Sequence, residues 1–306
     1  MSLLSKNQLK LYGLEDYLNE LINLYDDKKL PNKILLSGQK GIGKCTLAYH
    51  LINYILSKDE EFPYDLNSSS INRENRSYKL IQNGSNMNFA LIDILTDKKN
   101  IDISQIRDLI LILNKSSFNT KSRIVLIDNI EFLNINSVNA LLKILEEPND
   151  NIYFILINNN KEVLETIKSR CLNFKVSLSH ETSLKISNKL VEKNIFDIIN
   201  KDLINYYFTP GQIYNLVEFS NKHKIELLKF NLNEFILFLI ENSFYKKDQF
   251  IRLFLYELIE FYFVTKISLN DISFCSRFLK KINNVKKFNL DDETLFLEFK
   301  SKVLNG

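Results

Sequence analysis

Short apolar runs alternate with stretches of helical periodicity in the first half of the chain. The apolar runs cover residues 34–36, 89–95, 123–128 and 152–157, and the helical stretches cover residues 14–26, 47–56, 104–113 and 137–147. Strands that are apolar on both faces are typical of a parallel sheet covered by helices on both sides. The pattern therefore predicts an α/β domain, with Ser104 as the N-cap of its third helix and Pro148 ending the fourth.

The rest of the chain lacks strand patterns. Residues 59–86 are polar and predict a surface excursion, and from about residue 178 onward only helical periodicity remains. A short helical bundle is expected to residue 222, followed by long aromatic-rich amphipathic helices. Their apolar positions can be core or subunit interface, and examples are Phe250, Phe254, Leu258 and Phe261. We therefore predict domains at 1–177, 178–222 and 223–306.

Composition and charge narrow the class of protein. The 306 residues are 45% hydrophobic and carry a net charge of +3, which predicts real cores but no strong electrostatic attraction to nucleic acid. The three cysteines have no C-x-x-C spacing, which excludes a cysteine zinc module and fits a reducing cytosol. The N-terminus lacks the apolar core of a signal peptide, and no apolar span is long enough for a membrane helix. A cytoplasmic protein without membrane contact and without a metal site is expected.

Residues 34–46, ILLSGQKGIGKCT, carry a phosphate-binding loop pattern between a predicted strand and a predicted helix. Glycines at three positions, Gly38, Gly41 and Gly43, let the backbone turn its N–H groups toward phosphate oxygens, and the helix N-terminus adds a favourable dipole. Lys44 would reach the outer phosphates. This strand–loop–helix context predicts a nucleotide-binding loop.

Two positions depart from what a hydrolytic site requires. The loop pattern continues with Ser or Thr, whose hydroxyl binds magnesium, but Cys45 stands there and Thr46 follows it. Asp128 ends an apolar strand as the magnesium-ordering acid of P-loop ATPases does, although it can also simply serve a turn. Asn129 then replaces the glutamate that polarises water. No cofactor therefore follows with certainty, and binding of ATP and magnesium stays open.

Two later runs carry a family resemblance. Residues 137–148, SVNALLKILEEP, resemble the NALLK-x-LEEP signature of the AAA+ clamp loader family, and Ser169–Cys171 match its Ser-Arg-Cys motif. The resemblance implies that Arg170 acts as an arginine finger in the ATP site of a neighbouring subunit, with Ser169 beside it. By the residues alone, Glu146 and Glu147 can be solvated acids and Arg170 a surface cation.

The resemblance extends over nearly the whole chain and implies its fold. Further matches lie at residues 11–13, 103–109 and 209–211. The implied fold is an α/β P-loop AAA+ domain, a parallel sheet covered by helices, followed by a small helical lid domain and an all-α collar domain that forms a ring. Residues 211–214 lack the lid arginine called sensor 2. With Cys45 and Asn129, this makes three losses in one ATP site and implies a member of the non-hydrolysing delta prime class.

The implied function is a structural, or stator, subunit of the bacterial DNA polymerase III clamp loader without ATPase activity of its own. Its implied partners are the tau/gamma-type motor subunits, the delta subunit, the sliding clamp and, through the complex, primed DNA. The alternative is a hydrolysing AAA+ ATPase, such as a motor subunit or a replication or repair ATPase, in which Thr46 replaces Cys45 at magnesium. A small-molecule P-loop kinase is a third hypothesis, but it leaves the Ser-Arg-Cys run and the helical half without a purpose.

Overall fold

The chain folds into two compact units, Met1–Ser183 and Leu184–Gly306. The computed structural model describes residues 4–95, 98, 100–114, 121–146, 151–159, 163–205, 207–266, 272–288 and 290–304. The unit boundary lies close to the predicted end of the α/β domain at residue 177. The division of the helical remainder into two domains at residue 222 stays a prediction.

The first unit is built on a parallel sheet with the strand order β2-β3-β4-β1-β5. Its strands are β1 Lys33–Ser37, β2 Phe89–Ile92, β3 Arg123–Ile127, β4 Ile152–Asn158 and β5 Leu172–Lys175. Its helices are α1 Glu15–Asp26, α2 Lys44–Ser57, α3 Arg76–Gln82, α4 Ile103–Leu113, α5 Ile135–Glu146 and α6 Glu165–Lys168, and α7 His180–Val191 spans the unit boundary.

Successive residues of the central strands β1, β3 and β4 enter different cores, one on each face of the sheet. Ile34 and Leu36 of β1 pack with the apolar sides of α1 and α2. Leu35, between them, packs with Phe154 of β4 and with the apolar residues of α4 and α5. This alternation follows from the period of two in a strand. Because both faces are covered, the central strands β1, β3 and β4 have apolar interiors, and the predicted parallel sheet is confirmed.

Two local predictions were wrong. Helix α4 begins at Ile103, and its N-cap is Asp102 in a capping box with Gln105, so Ser104 lies inside the helix. Residues 59–86 are more than a surface excursion, because α3 lies there and its surroundings pack onto the α1–α2 side of the sheet. Buried residues of this segment are Tyr64, Ser69, Ile71, Asn75, Ser77 and Ile81. The predicted helix end at Glu147 and Pro148 lies outside the described residues.

The second unit is helical around an aromatic core. Its helices after α7 are α8 Pro210–His223, α9 Leu232–Glu241, α10 Phe244–Lys247, α11 Gln249–Lys266, α12 Ile272–Phe288 and α13 Asp292–Phe299, followed by a π-helical turn Lys300–Leu304. Phe254 and Leu258 are fully buried, and Phe250 and Phe261 pack against the same core. These positions are therefore core. Within the described ranges, no helix has the length and apolar character needed to cross a membrane.

Candidate functional site

The phosphate-binding loop connects the carboxyl end of β1 to the first turn of α2. Gly43 occupies the N-cap position of α2 with a φ of +100°, a conformation that residues with a side chain rarely adopt. A Cβ atom on Gly38 would lie 2.2 Å from the carbonyl oxygen of Val176, just beyond β5. Both glycines are therefore required by the backbone itself, and the loop brings the N-terminus of α2 to the edge of the sheet.

Lys44 is turned inward onto its own loop. Only 3% of the residue is exposed, and its Nζ donates to the carbonyl oxygens of Gly38 at 2.9 Å and Gln39 at 2.6 Å. Burial lowers the pKa of Lys44 to about 8, against the opposing effect of the nearby carboxylates of Asp128 and Glu131. A phosphate that entered the loop would have to replace these carbonyl contacts.

Cys45 and Asp128 form the part of the site where magnesium would be expected. Burial raises the pKa of Asp128 to about 6, with a further contribution from Asp93, and the neighbouring Cys45 thiol opposes this rise. Burial also raises the pKa of the Cys45 thiol, which keeps it neutral. A neutral thiol beside the acid is a poor ligand for a hard divalent cation, which prefers oxygen donors. The residues present do not fit magnesium.

Thr46 and Cys45 point in different directions from α2. Thr46 is the next residue of α2, and consecutive helical side chains point about 100° apart around the axis. Among the described residues, no group of three or more His, Cys, Asp or Glu side chains is arranged to hold a metal ion.

Asn129, which occupies the position of the water-polarising glutamate of P-loop ATPases, links the ends of three neighbouring strands. It has a φ of +56°, and its backbone N–H donates to Asp128 Oδ1 at 2.8 Å. Its side-chain Nδ2 donates to Asp93 Oδ1 at 2.8 Å, and its Oδ1 accepts from Asn159 Nδ2 at 2.9 Å. Asn159 also donates to Glu131 Oε1 at 3.1 Å. These side chains follow β2, β3 and β4 in sheet order, so the amide joins strand ends and offers no base for water.

Arg170 lies away from this loop, between α6 and β5. Its Nη2 donates to Glu146 Oε1 at 2.6 Å, and its Nη1 donates to the Thr166 carbonyl at 2.8 Å and to Ser169 Oγ at 3.3 Å. About one third of the Arg170 side chain remains exposed. The Ser169 hydroxyl donates to the same Thr166 carbonyl at 3.1 Å. The guanidinium is thus held by an acid from α5 and by the last turn of α6.

The sheet separates Arg170 from the chain's own loop. Leu172, the first residue of β5, is level with Ile34 of β1, whereas the loop begins at Gly38. The strands are parallel, and four residues along a strand span ~13 Å. Arg170 precedes β5 and the loop follows β1, so they lie at opposite edges of the sheet.

The comparisons with known proteins agree with these motifs. A family model described as DNA polymerase III, delta subunit, matches residues 13–179, more than half of the chain. The chain belongs to this family. The resemblance to AAA+ clamp loader subunits is thereby confirmed, and the match contains the loop, Asp128 and Arg170.

Relatives of this clamp loader chain carry two kinds of subunit name. A DNA polymerase III subunit gamma of Buchnera aphidicola subsp. Schizaphis graminum (strain Sg) is 30% identical over 230 residues, which are 73% of this chain and 60% of that protein. A DNA polymerase III subunit delta prime of the same organism is 27% identical over 288 residues, 87% of this chain and 83% of that protein. The chain spans less than two thirds of the gamma relative. The relatives therefore agree on the clamp loader family and carry both the gamma and the delta prime name.

A solved structure supports the fold of this clamp loader family member. The crystal structure of a DNA polymerase III gamma subunit-related protein from Thermotoga maritima has a TM-score of 0.51 and covers 92% of this chain and 97% of that chain, at 19% identity. The predicted AAA+ α/β domain with a helical C-terminal region is confirmed.

The sequence motifs did not reveal several neighbours of the predicted site residues. Asp93, Glu131 and Asn159 join the network around Asn129, and Glu146 contacts Arg170. A sequence signal existed for Asp93, because it follows strand β2 as Asp128 follows β3, and the carboxyl ends of parallel strands meet at one edge. The contact between Glu146 and Arg170 had no such signal.

Proposed function

We propose that this chain is a delta prime-like stator subunit of the DNA polymerase III clamp loader, which supplies Arg170 to the ATP site of a neighbouring motor subunit. Its partners would be tau/gamma-type motor subunits and the delta subunit, in an assembly that loads the sliding clamp on primed DNA. In this proposal residues 178–222 are a lid and residues 223–306 form the collar of the ring.

The main support for this proposal is the separation of Arg170 from the chain's own phosphate-binding loop. An arginine at the opposite edge of the sheet cannot stabilise charge on a phosphate held near Lys44, but it can do so for a second subunit. The chain's own site adds support, because Cys45 puts a thiol where a magnesium-binding hydroxyl is required and Asn129 has no carboxylate. The protein would then use its loop region as scaffold.

Arg170 would act by charge and by position. A guanidinium remains protonated at any physiological pH and offers planar N–H donors to the oxygens of a phosphate. In the neighbour's site it would neutralise charge that develops during hydrolysis. Ser169 would contribute indirectly, by accepting an N–H of Arg170 and thereby fixing the guanidinium.

The test is the ATPase rate of a clamp loader reconstituted from full-length subunits with clamp and primed DNA. Arg170→Ala should leave the complex assembled and lower its rate by removing hydrolysis at one class of site. The matched control is Arg76→Ala, at an exposed position on α3, which should leave the rate unchanged. An Arg170→Ala complex that hydrolyses ATP at the wild-type rate would remove the proposal.

A hydrolysing ATPase is the second candidate, supported by the intact glycines and Lys44 and by the gamma-named relative. The isolated chain distinguishes the two. The stator proposal expects no ATP turnover above background, whereas appreciable turnover that disappears with Lys44→Ala would establish the ATPase.

A further inference from the structure

We propose that Glu146 is a positioning residue that holds the Arg170 guanidinium in place for the neighbouring subunit. This inference rests on the proposed role of Arg170. The two side chains are 24 residues apart in sequence and form an ion pair of 2.6 Å between Nη2 and Oε1. Glu146 lies in α5, and Arg170 follows α6, so the contact joins two separate elements.

Both partners are fixed to one core. Leu145, which precedes Glu146, is 1% exposed, and Ile167 and Cys171 on either side of Arg170 are 2% and 9% exposed. All three belong to the apolar core on one face of the sheet. Packed cores do not deform continuously, so the distance between the two backbones is set by the fold. The pair therefore orients the guanidinium relative to the sheet.

Stability alone does not account for the pair. Both side chains are partly exposed, at 33% for Arg170 and 56% for Glu146, and exposed ion pairs contribute little to folding. Orientation of the guanidinium is what the pair provides. Protein kinases use a glutamate in this way to hold the lysine that contacts phosphate.

The pair leaves Arg170 able to bind a phosphate. A guanidinium has five N–H donors. In the described part of the chain, Nη1 donates to Thr166 and Ser169, and Nη2 donates once, to Glu146. The remaining donors lie on Nε and Nη2. Arg170 can therefore donate them to a phosphate of the neighbouring subunit while its Nη2 remains bound to Glu146.

The experiment measures the Arg170-dependent rate, which is the ATPase rate of the reconstituted complex minus that of the Arg170→Ala complex. Glu146→Ala should lower this component about tenfold, within the range that misplacement of a catalytic group costs. Glu146→Gln keeps an acceptor oxygen at the same place and should retain most of the rate. The matched control is Glu165→Ala, because Glu165 is an exposed acid paired with Lys168 on α6, and the rate should be unchanged.

Glu146→Ala should have no further effect in a chain that already carries Arg170→Ala, and thermal unfolding should be the same for all variants. A wild-type or higher rate in Glu146→Ala overturns the inference. So does an equal loss in Glu146→Ala and Glu146→Gln, or a loss that persists without Arg170. If Arg170→Ala itself leaves the ATPase rate unchanged, the proposed arginine-finger role of Arg170 is wrong as well. If only the Glu146 variants leave the ATPase rate unchanged, the role of Arg170 is retained and the positioning role of Glu146 is wrong.

Discussion

Asp128 and Lys44 hold opposite charges in one enclosed region, and burial shifts both toward their neutral forms. The pKa of Asp128 rises to about 6 and that of Lys44 falls to about 8. A magnesium site in a loop of this type would place a Ser or Thr hydroxyl beside the aspartate. Here the Cys45 thiol takes the place of a hydroxyl beside the acid. At the residue scale, the loop retains the backbone shape of a phosphate-binding loop, but its polar side chains contact other groups of this protein.

The raised pKa of Asp128 makes stability pH-dependent in a defined direction. Its contribution is present below the unfolded pKa of 3.8 and is lost as the pH rises through about 6. Asp128→Asn stays neutral and keeps an acceptor oxygen. Relative to wild type, we expect no stability gain below pH ~4 and a gain of about 3 kcal/mol above pH ~6.5.

Urea denaturation at several pH values measures this difference. The control is Asp108→Asn, at an exposed position on α4, for which no such gain is expected. A gain for Asp128→Asn that appears only at low pH would contradict the assigned direction.

At the scale of elements, the segment between α2 and β2 is tied down by one buried amide. Asn75 is fully buried at the N-cap of α3, where its Oδ1 accepts from Tyr78 N at 2.7 Å and from Asn53 Nδ2 at 3.0 Å. Its Nδ2 donates to the Phe62 carbonyl at 2.8 Å. One side chain thus caps a helix, holds a loop and satisfies a buried partner on α2.

Asn75→Ala is therefore expected to be strongly destabilising. It removes a helix cap, which costs ~1 kcal/mol, and it leaves the buried Asn53 donor without its acceptor, which adds ~1–3 kcal/mol. Thermal and urea unfolding of the full chain measure the loss. Asn72→Ala, at an exposed position of the same segment, should cost less than ~0.5 kcal/mol. Equal losses in the two variants would show that the amide network is unimportant.

The same segment illustrates how far the sequence predicts the fold. Strands β1, β3 and β4 were predictable because each is an apolar run buried on both faces. Strand β5, with the sequence LNFK, is an edge strand with mostly exposed side chains, so it leaves no apolar signal. Helix α3 was missed because its segment is polar, although Asn75 and Ser77 are buried through hydrogen bonds.

In the candidate site, too, some features could be predicted from the sequence and others could not. The loop was predictable because its glycines and Lys44 are adjacent in sequence and their spacing is fixed by backbone geometry. The acceptors around Asn129 and the Glu146 contact to Arg170 depend on which strand and helix ends meet, and periodicity does not determine that.

At the scale of the whole molecule, the first unit presents two different edges of one sheet. The carboxyl edge carries the loop, with Lys44 bound to its own carbonyls, and the amino edge carries Arg170 in a fixed setting. A protein that hydrolysed ATP for itself would need its catalytic groups at the first edge. A protein that serves a neighbour needs a positioned cation at the second. The arrangement of residues favours the second description.

The most direct measurement compares Lys44→Ala with Arg170→Ala, each introduced into this chain alone within the reconstituted clamp loader. The observable is the ATPase rate with clamp and primed DNA, after circular dichroism has shown that both variants are folded. We predict a lowered rate for Arg170→Ala and a wild-type rate for Lys44→Ala. The reverse result, with Lys44→Ala impaired and Arg170→Ala unaffected, would contradict the account.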